Sequence, residues 1–171
     1  MGRTPGRVRV RGRIGSVKEV HMLKKILYTN DDTVILLLRL LLGIVFFPHG
    51  MQKLFGWFGG YGFEGTLGFF TGKLGIPAVF AFLAIMAEGL GSLGLITGLL
   101  TRVAAFGIAM NMIVAVYMMH FQNGFFMNWF GNQKGEGYEY HLLVIGIAIA
   151  LMIKGGGKWS ADKAIADGMK K

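Results

Sequence analysis

T-V-I-L-L-L-R-L-L-L-G-I-V-F-F-P-H-G-M-Q-K-L-F, Thr33 to Phe55, decides the class of this molecule. Up to Phe47 it is apolar except for Thr33 and Arg39; proline, histidine, glutamine and lysine then arrive within a few positions. A helix needs roughly 20 apolar residues to cross about 30 Å of hydrocarbon, and this stretch has that length. Lipid offers the backbone no hydrogen bonds, so a spanning segment is either a helix or part of a closed barrel. The two-residue alternation of a barrel strand is missing. The stretch reads as a membrane helix whose polar groups gather in its last turns.

Three more apolar runs lie downstream. Ile76 to Leu100 is interrupted only by Glu88, and Val103 to Met119 holds Asn111 as its strongly polar residue. Tyr140 to Ile153 is apolar apart from His141, and its helix must begin near Glu139. A balance of 53% hydrophobic to 16% charged residues is foreign to soluble domains of 171 residues. The expected fold is all-α, an integral membrane four-helix bundle with aromatic and glycine-rich outer loops. Its membrane domain is expected over residues 33–165, with a cytoplasmic lead-in over 22–32 and a basic tail over 166–171.

The net charge of +9 sits mostly at the chain ends. Lys24 and Lys25 precede the first run, Lys154 and Lys158 follow the last, and Arg102 occupies the turn between the second and third. An even number of spans puts both termini on one side, and the cation excess makes that side cytoplasmic in a multi-pass inner-membrane protein. The basic ends are expected to meet anionic lipid rather than nucleic acid. Cysteine is absent. Thiol exchange and thiolate metal ligation by the chain itself are thereby excluded, so a redox role needs a cofactor or a partner.

Phe55 to Gly75 is crowded with glycine and aromatics, and Phe121 to Tyr138 repeats that composition. Rings favour the headgroup layer. Glu64 to Leu74 is expected to form a short interfacial or re-entrant helix before Pro77 opens the second span, and the two loops either fold over the bundle mouth as a lid or anchor in the interface. Gly155-Gly156-Gly157 should stop the fourth helix, after which Ser160 offers an N-cap to a short terminal helix.

Buried ionisable groups in a bilayer cost at least about 2.5 kcal/mol at its centre and so face one another or a wet cavity. On a wheel of about 100° per residue, Arg39 shares a face with Gly43, Phe46, Gly50 and Lys53, with His49 on the flank. Glu88 aligns with Ala81, Ala84 and Ser92, Asn111 with Ala104, Gly107 and Ala115, and Glu139 with Gly146 and Ala150. Small residues mark close helix approach, so each span is expected to turn a polar group into one interior opening outward. Candidate pocket residues are Arg39, His49, Gln52, Lys53, Glu88, Asn111 and Glu139. Competing readings remain: Arg39 and Glu88 as a buried ion pair fixing register, Lys53 reaching to headgroups, and Asn111 as interhelical glue. No H-x-x-x-H or E-x-x-H pair offers two ligands on one face. Regular wheels also set His120 opposite Asn111 and His141 opposite Glu139, so no metal or haem site is expected.

The order of motifs resembles the DoxX family of small four-helix bacterial membrane proteins, over Thr33 to about Ile165. Arg39 is followed by F-F-P-H-G-M-Q-K-L-F-G from Phe46, L-G-I-P from Leu74 and A-E-G-L-G-S-L-G-L-I-T-G-L-L-T-R from Ala87. N-G-F-F-M-N-W from Asn123, E-Y-H-L-L from Glu139 and G-G-G-K-W-S-A-D from Gly155 complete the pattern. The resemblance implies association with quinol oxidase or thiosulfate:quinone oxidoreductase components and with thiol and superoxide partners. It places Arg39, His49, Gln52, Lys53, Glu88, Arg102 and Glu139 at the family's recurrent polar positions. The function expected is a redox-associated membrane subunit that binds quinone or docks oxidoreductase complex subunits. The alternatives are a non-enzymatic scaffold or assembly factor and, third, a small transporter or proton path through Glu88, for which no internal repeat speaks.

Residues 1–21 form a basic leader without counterpart in that pattern. Lys18-Glu19-Val20 is encodable as AAG-GAG-GTN, a bacterial ribosome-binding sequence one codon before His21 and Met22. Either Met22 is the natural start and the leader is translated upstream DNA, or the leader is a disordered basic tail. Mass spectrometry of the native N-terminus decides: a peptide from within Arg7 to Lys18 excludes the start at Met22.

Overall fold

The first span begins where Asp32, in extended backbone, accepts from the N–H groups of Val34 at 2.9 Å and Ile35 at 3.2 Å. Two of the four bare donors of a helix start are satisfied this way. Helix α2 (Thr33–Phe55) then runs unbroken through Pro48 to Gly56, whose φ of 73° ends it. The computed structural model describes residues 17–169, with side chains from Met22 onward. The expected leader over 1–21 and the last two residues of the basic tail lie outside the described residues, apart from the backbone of 17–21.

Before the span comes α1 (Val17–Leu27). After it come the short α3 (Gly62–Gly68), which widens into a π turn over Phe69–Lys73, and then α4 (Ala78–Thr97) opening behind Pro77. Helix α5 (Thr101–Ala115) continues through a π turn at Val116–His120 and a tight turn to Asn123. Helix α6 (Glu139–Lys154) and α7 (Ala161–Gly168) finish the chain, and no strand occurs among the described residues. Thr33–Phe55, Ala78–Thr97 and Thr101–Asn123 are long and apolar enough to cross a membrane. At 16 residues α6 is shorter than a standard span. The molecule is an all-α membrane protein.

Contacts run in a circuit, α2 on α4, α4 on α5, α5 on α6 and α6 on α2. Leu42, Phe46, Leu95, Ile108, Val144 and Leu151 fill the centre. Leu37, Leu41, Ile44, Phe80, Leu83, Leu90, Phe106 and Leu143 stay exposed and face outward as a lipid-facing belt. Glycine sets the closest crossing. A Cβ at Gly50 would meet the Glu88 carbonyl oxygen at 2.6 Å, so α2 and α4 touch backbone to backbone there.

One end of the circuit carries both chain termini and the α4–α5 turn; the other carries the two long loops. At the terminal end each helix end meets a charge of fitting sign. The Arg39 guanidinium, 1% exposed, donates to the carbonyls of Leu95 at 2.5 Å and Ile96 at 2.7 Å at the C-terminus of α4. It also donates to Gly156 at 2.9 Å and Trp159 at 3.5 Å. Arg102 donates to Met152 and Ile153 at the end of α6 and to Ile26 and Tyr28 at the end of α1. The fully buried Asp162 accepts from Leu100 N–H at 2.7 Å and Thr101 N–H at 2.9 Å, capping α5. Ser160 caps α7 by accepting from Lys163 N–H, as its position promised. Cations at helix C-termini and acids at N-termini complement the helix dipole.

Two expectations are corrected. Helix α6 buries His141, Val144, Ala148 and Leu151, not the face of Glu139, Gly146 and Ala150; Gly146 is exposed. The cause is local: Glu139 opens the helix and turns its carboxylate to Met127 N–H at 2.8 Å in the preceding loop. The loops also form no lid of rings. Trp57, Phe58, Tyr61, Trp129 and Phe130 point outward and are exposed, the arrangement of interface anchors.

Gly98 tests the terminal end. Its φ is 70°, and a Cβ would lie 2.5 Å from the Ser160 Cβ and 3.1 Å from the Arg39 Cζ. Gly98→Ala is expected to cost about 1–3 kcal/mol, read as a lowered Tm in detergent, whereas Gly68→Ala, where a Cβ meets nothing within 4 Å, follows wild type. Equal Tm for both variants would contradict this packing.

Candidate functional site

Lys53 stands near the loop end of α2, and helical Cβ atoms lean toward the N-terminus. The side chain therefore runs back into the bundle instead of outward to headgroups. Its ammonium meets Glu88 of α4 at 2.5 Å, with the two side chains 23% and 9% exposed. The other carboxylate oxygen of Glu88 accepts from the Asn111 amide of α5 at 3.3 Å. That same Asn111 nitrogen donates to the Ala84 carbonyl at 2.8 Å, so the amide ties α5 to α4 as well as contacting the acid. A bare ion in hydrocarbon is prohibitive; here opposite charge and a donor surround the carboxylate.

Helix α6 adds a buried phenol. Tyr140 packs against the core, within electrostatic reach of Glu88, and its hydroxyl is buried without a hydrogen-bond partner. Three packed helices thus bring together an ammonium, a carboxylate and an amide, and α6 adds a buried, unpartnered phenol within electrostatic reach of the carboxylate. Such a set can donate, accept and exchange a proton. Tyr140 was not singled out from the sequence, because the wheel had turned the Glu139 face inward.

The remaining candidates are placed elsewhere. Arg39 bonds to backbone carbonyls at the terminal end, not to Glu88. Leu95 and Ile96 follow Glu88 by two turns of α4, roughly 11 Å at 1.5 Å per residue. One shared interior containing both Arg39 and Glu88 is therefore not what forms, and neither is an ion pair between them. Arg39 is matched by carbonyls and by nearby Asp162, which leaves Glu88 to Lys53. His49 is exposed on α2, its ring 6.1 Å from that of Phe46. Gln52 donates to the Phe58 carbonyl at 3.2 Å and fixes the turn after α2. Glu139 ties the second loop to α6.

The structure also joins two groups that regular wheels had kept apart. The rings of His120 and His141 lie with centres 4.1 Å apart. The π turn at Val116–His120 shifts the register at the end of α5, and α6 presents His141 inward. Nothing in the sequence marks a π turn.

An all-α membrane protein with an ion pair between its first two apolar helices is the class these features define. The DoxX family model matches residues 34–121. The chain is also 34% identical over 116 residues to "Putative oxidoreductase CatD" of Bacillus subtilis (strain 168), an alignment covering 68% of this chain and 76% of that protein. No solved structure matches it. The chain belongs to the DoxX family.

Lys53→Met alone strands Glu88, and Glu88→Leu alone strands Lys53. Each change is expected to cost about 1–3 kcal/mol, and the double variant less than the two together. Thermal unfolding in detergent reads the coupling; strictly additive losses would show that the two charges do not interact.

Proposed function

We propose that this protein is a redox-associated membrane subunit whose Lys53–Glu88–Asn111 cluster, with Tyr140, contacts a quinone headgroup. The carrying observation is the buried Tyr140 hydroxyl, a donor without a partner within electrostatic reach of the Glu88 that Lys53 pairs. Quinone carbonyls accept such donors, and the ring suits a site mostly apolar with a few placed polar groups. The name of the Bacillus subtilis relative, an oxidoreductase, supports a redox role. Because this chain has no cysteine, electrons would pass through the quinone or through oxidoreductase partner subunits. Of the candidates read from the sequence, Lys53, Glu88 and Asn111 belong to this contact; Arg39, His49, Gln52 and Glu139 are left outside it.

In this reading α6 completes a fourth crossing within a domain over residues 33–165, helped by Tyr138 and Trp159 near its two ends. The cation-rich terminal end, with Lys24, Lys25, Arg102, Lys154 and Lys158, faces the cytoplasm. The second reading is a scaffold or assembly factor without turnover. The bonding of Arg39 favours it: a guanidinium held by four carbonyls is structural and offers a ligand nothing.

A short-chain benzoquinone titrated into the protein in nanodiscs separates the two. Tyr140→Phe and Glu88→Gln are each expected to weaken binding about tenfold, the effect of one lost hydrogen bond of roughly 1.4 kcal/mol, with Tm nearly unchanged for Tyr140→Phe. Unaltered affinity in both variants, or no binding by wild type, removes the quinone contact. A stoichiometric protein partner co-purified without quinone would then speak for the scaffold.

A further inference from the structure

We propose that His120 and His141 form a two-imidazole site for a transition-metal ion of the zinc or copper class, at the loop end of the bundle. The rings lie with centres 4.1 Å apart and planes tilted by 42°. They come from different helices. His120 arrives by way of the π turn Val116–His120, and a widened turn of this kind recurs at functional sites in helices.

Three further observations assign ligand atoms. His120 Nδ1 is 2.9 Å from the backbone carbonyl of Glu136. A carbonyl only accepts, so Nδ1 carries the hydrogen and Nε2 keeps its lone pair. Metal-bound histidines commonly hold their second nitrogen in this way. His141 is 6% exposed, and its Nδ1 is buried without a hydrogen-bond partner. A metal bond would use that nitrogen. Finally, the nearby acids are already engaged: the Glu136 carboxylate accepts from Asn128 N–H and that of Glu139 from Met127 N–H, each at 2.8 Å.

These assignments set the character of the site. Imidazole donors suit zinc and copper, and the chain has no thiolate to add. No group of three or more metal-binding side chains exists among the described residues, so water completes the shell. Binding is therefore exchangeable, unlike a closed structural zinc site. A metal about 2.0–2.1 Å from one nitrogen of each ring sets tetrahedrally disposed rings roughly 5 Å apart, centre to centre. The observed pair needs to open by only about an ångström, within the reach of side-chain rotation.

The test uses the full chain in detergent, purified through a tag free of histidine. Zn(II) is titrated in competition with a chromophoric chelator. One saturable Zn(II) per chain is expected, with His120→Ala and His141→Ala each weakening it at least tenfold and His21→Ala leaving it unchanged. Should an alanine variant fail to fold by circular dichroism, Cu(II) bound to wild type decides, its electron paramagnetic resonance spectrum showing hyperfine coupling to two imidazole nitrogens. No saturable binding by folded wild type, wild-type affinity in both folded histidine variants, or a Cu(II) spectrum without that coupling overturns the site.

Discussion

A helix that ends away from bulk water leaves four carbonyls or four N–H groups bare, and the terminal end of this molecule is organised around satisfying them. Arg39 and Arg102 close the C-termini of α4, α6 and α1; Asp32 and Asp162 open α2 and α5. The backbone between is shaped to let these side chains in. Gly156 offers its carbonyl to Arg39, while a Cβ at Gly155 would come within 2.7 Å of the Arg102 Nη1. What reads in the sequence as a helix stop is thus the receptor for two guanidinium groups. Remove the small residues and the arginines lose their seats.

This has a consequence for the rest of the bundle. Arg39 finds its counter-charge in the partial charges of carbonyls, reinforced by Asp162, and so makes no demand on Glu88. Glu88 lies two turns away and must be matched separately, which Lys53 does. Two polar centres result, and they differ in kind. The Arg39 centre is crowded with backbone acceptors from α4 and the glycine loop. The Glu88 centre is made of side chains on three different helices, with the buried and unpartnered Tyr140 phenol of a fourth within its electrostatic reach. The first centre fixes geometry; the second is the one the proposed function draws on.

How much of this was legible follows from what a sequence encodes. The bounds of α2, the small-residue face carrying Gly43 and Gly50, a short helix near Glu64 to Leu74 (observed over Gly62–Gly68 and the π turn to Lys73) and the Ser160 cap all depend on local composition and were readable. The partner of Arg39 was not, because every residue has a carbonyl and no letter marks one as free. The wheel offered Arg39 and Glu88 as a pair, although Lys53 lay on the same face, when the stronger match for a guanidinium fork was a helix terminus. The inward face of α6 was misread for a related reason. Gly146 and Ala150 look like packing residues, yet the first-turn Glu139 is drawn to a loop N–H, and the larger His141, Val144 and Leu151 fill the core instead. The meeting of His120 with His141 depends on a π turn, which breaks the regular period that any wheel assumes.

The two ends of the bundle therefore divide the work. At the terminal end, Arg39, Arg102, Asp32 and Asp162 are consumed by helix ends, and among the described residues there the Thr101 hydroxyl is the buried side-chain atom left without a partner. In the loop half, one turn of α6 carries two such atoms, the Tyr140 hydroxyl within electrostatic reach of Glu88 and His141 Nδ1 on a ring packed against a second imidazole. Buried polar atoms without partners are unfavourable and persist where something else supplies the missing bond. Their concentration on adjacent residues, at the end that carries the exposed aromatic rings, is why the two sites proposed above both lie in the loop half. The arginine-built end holds the helices in the register that brings those residues together.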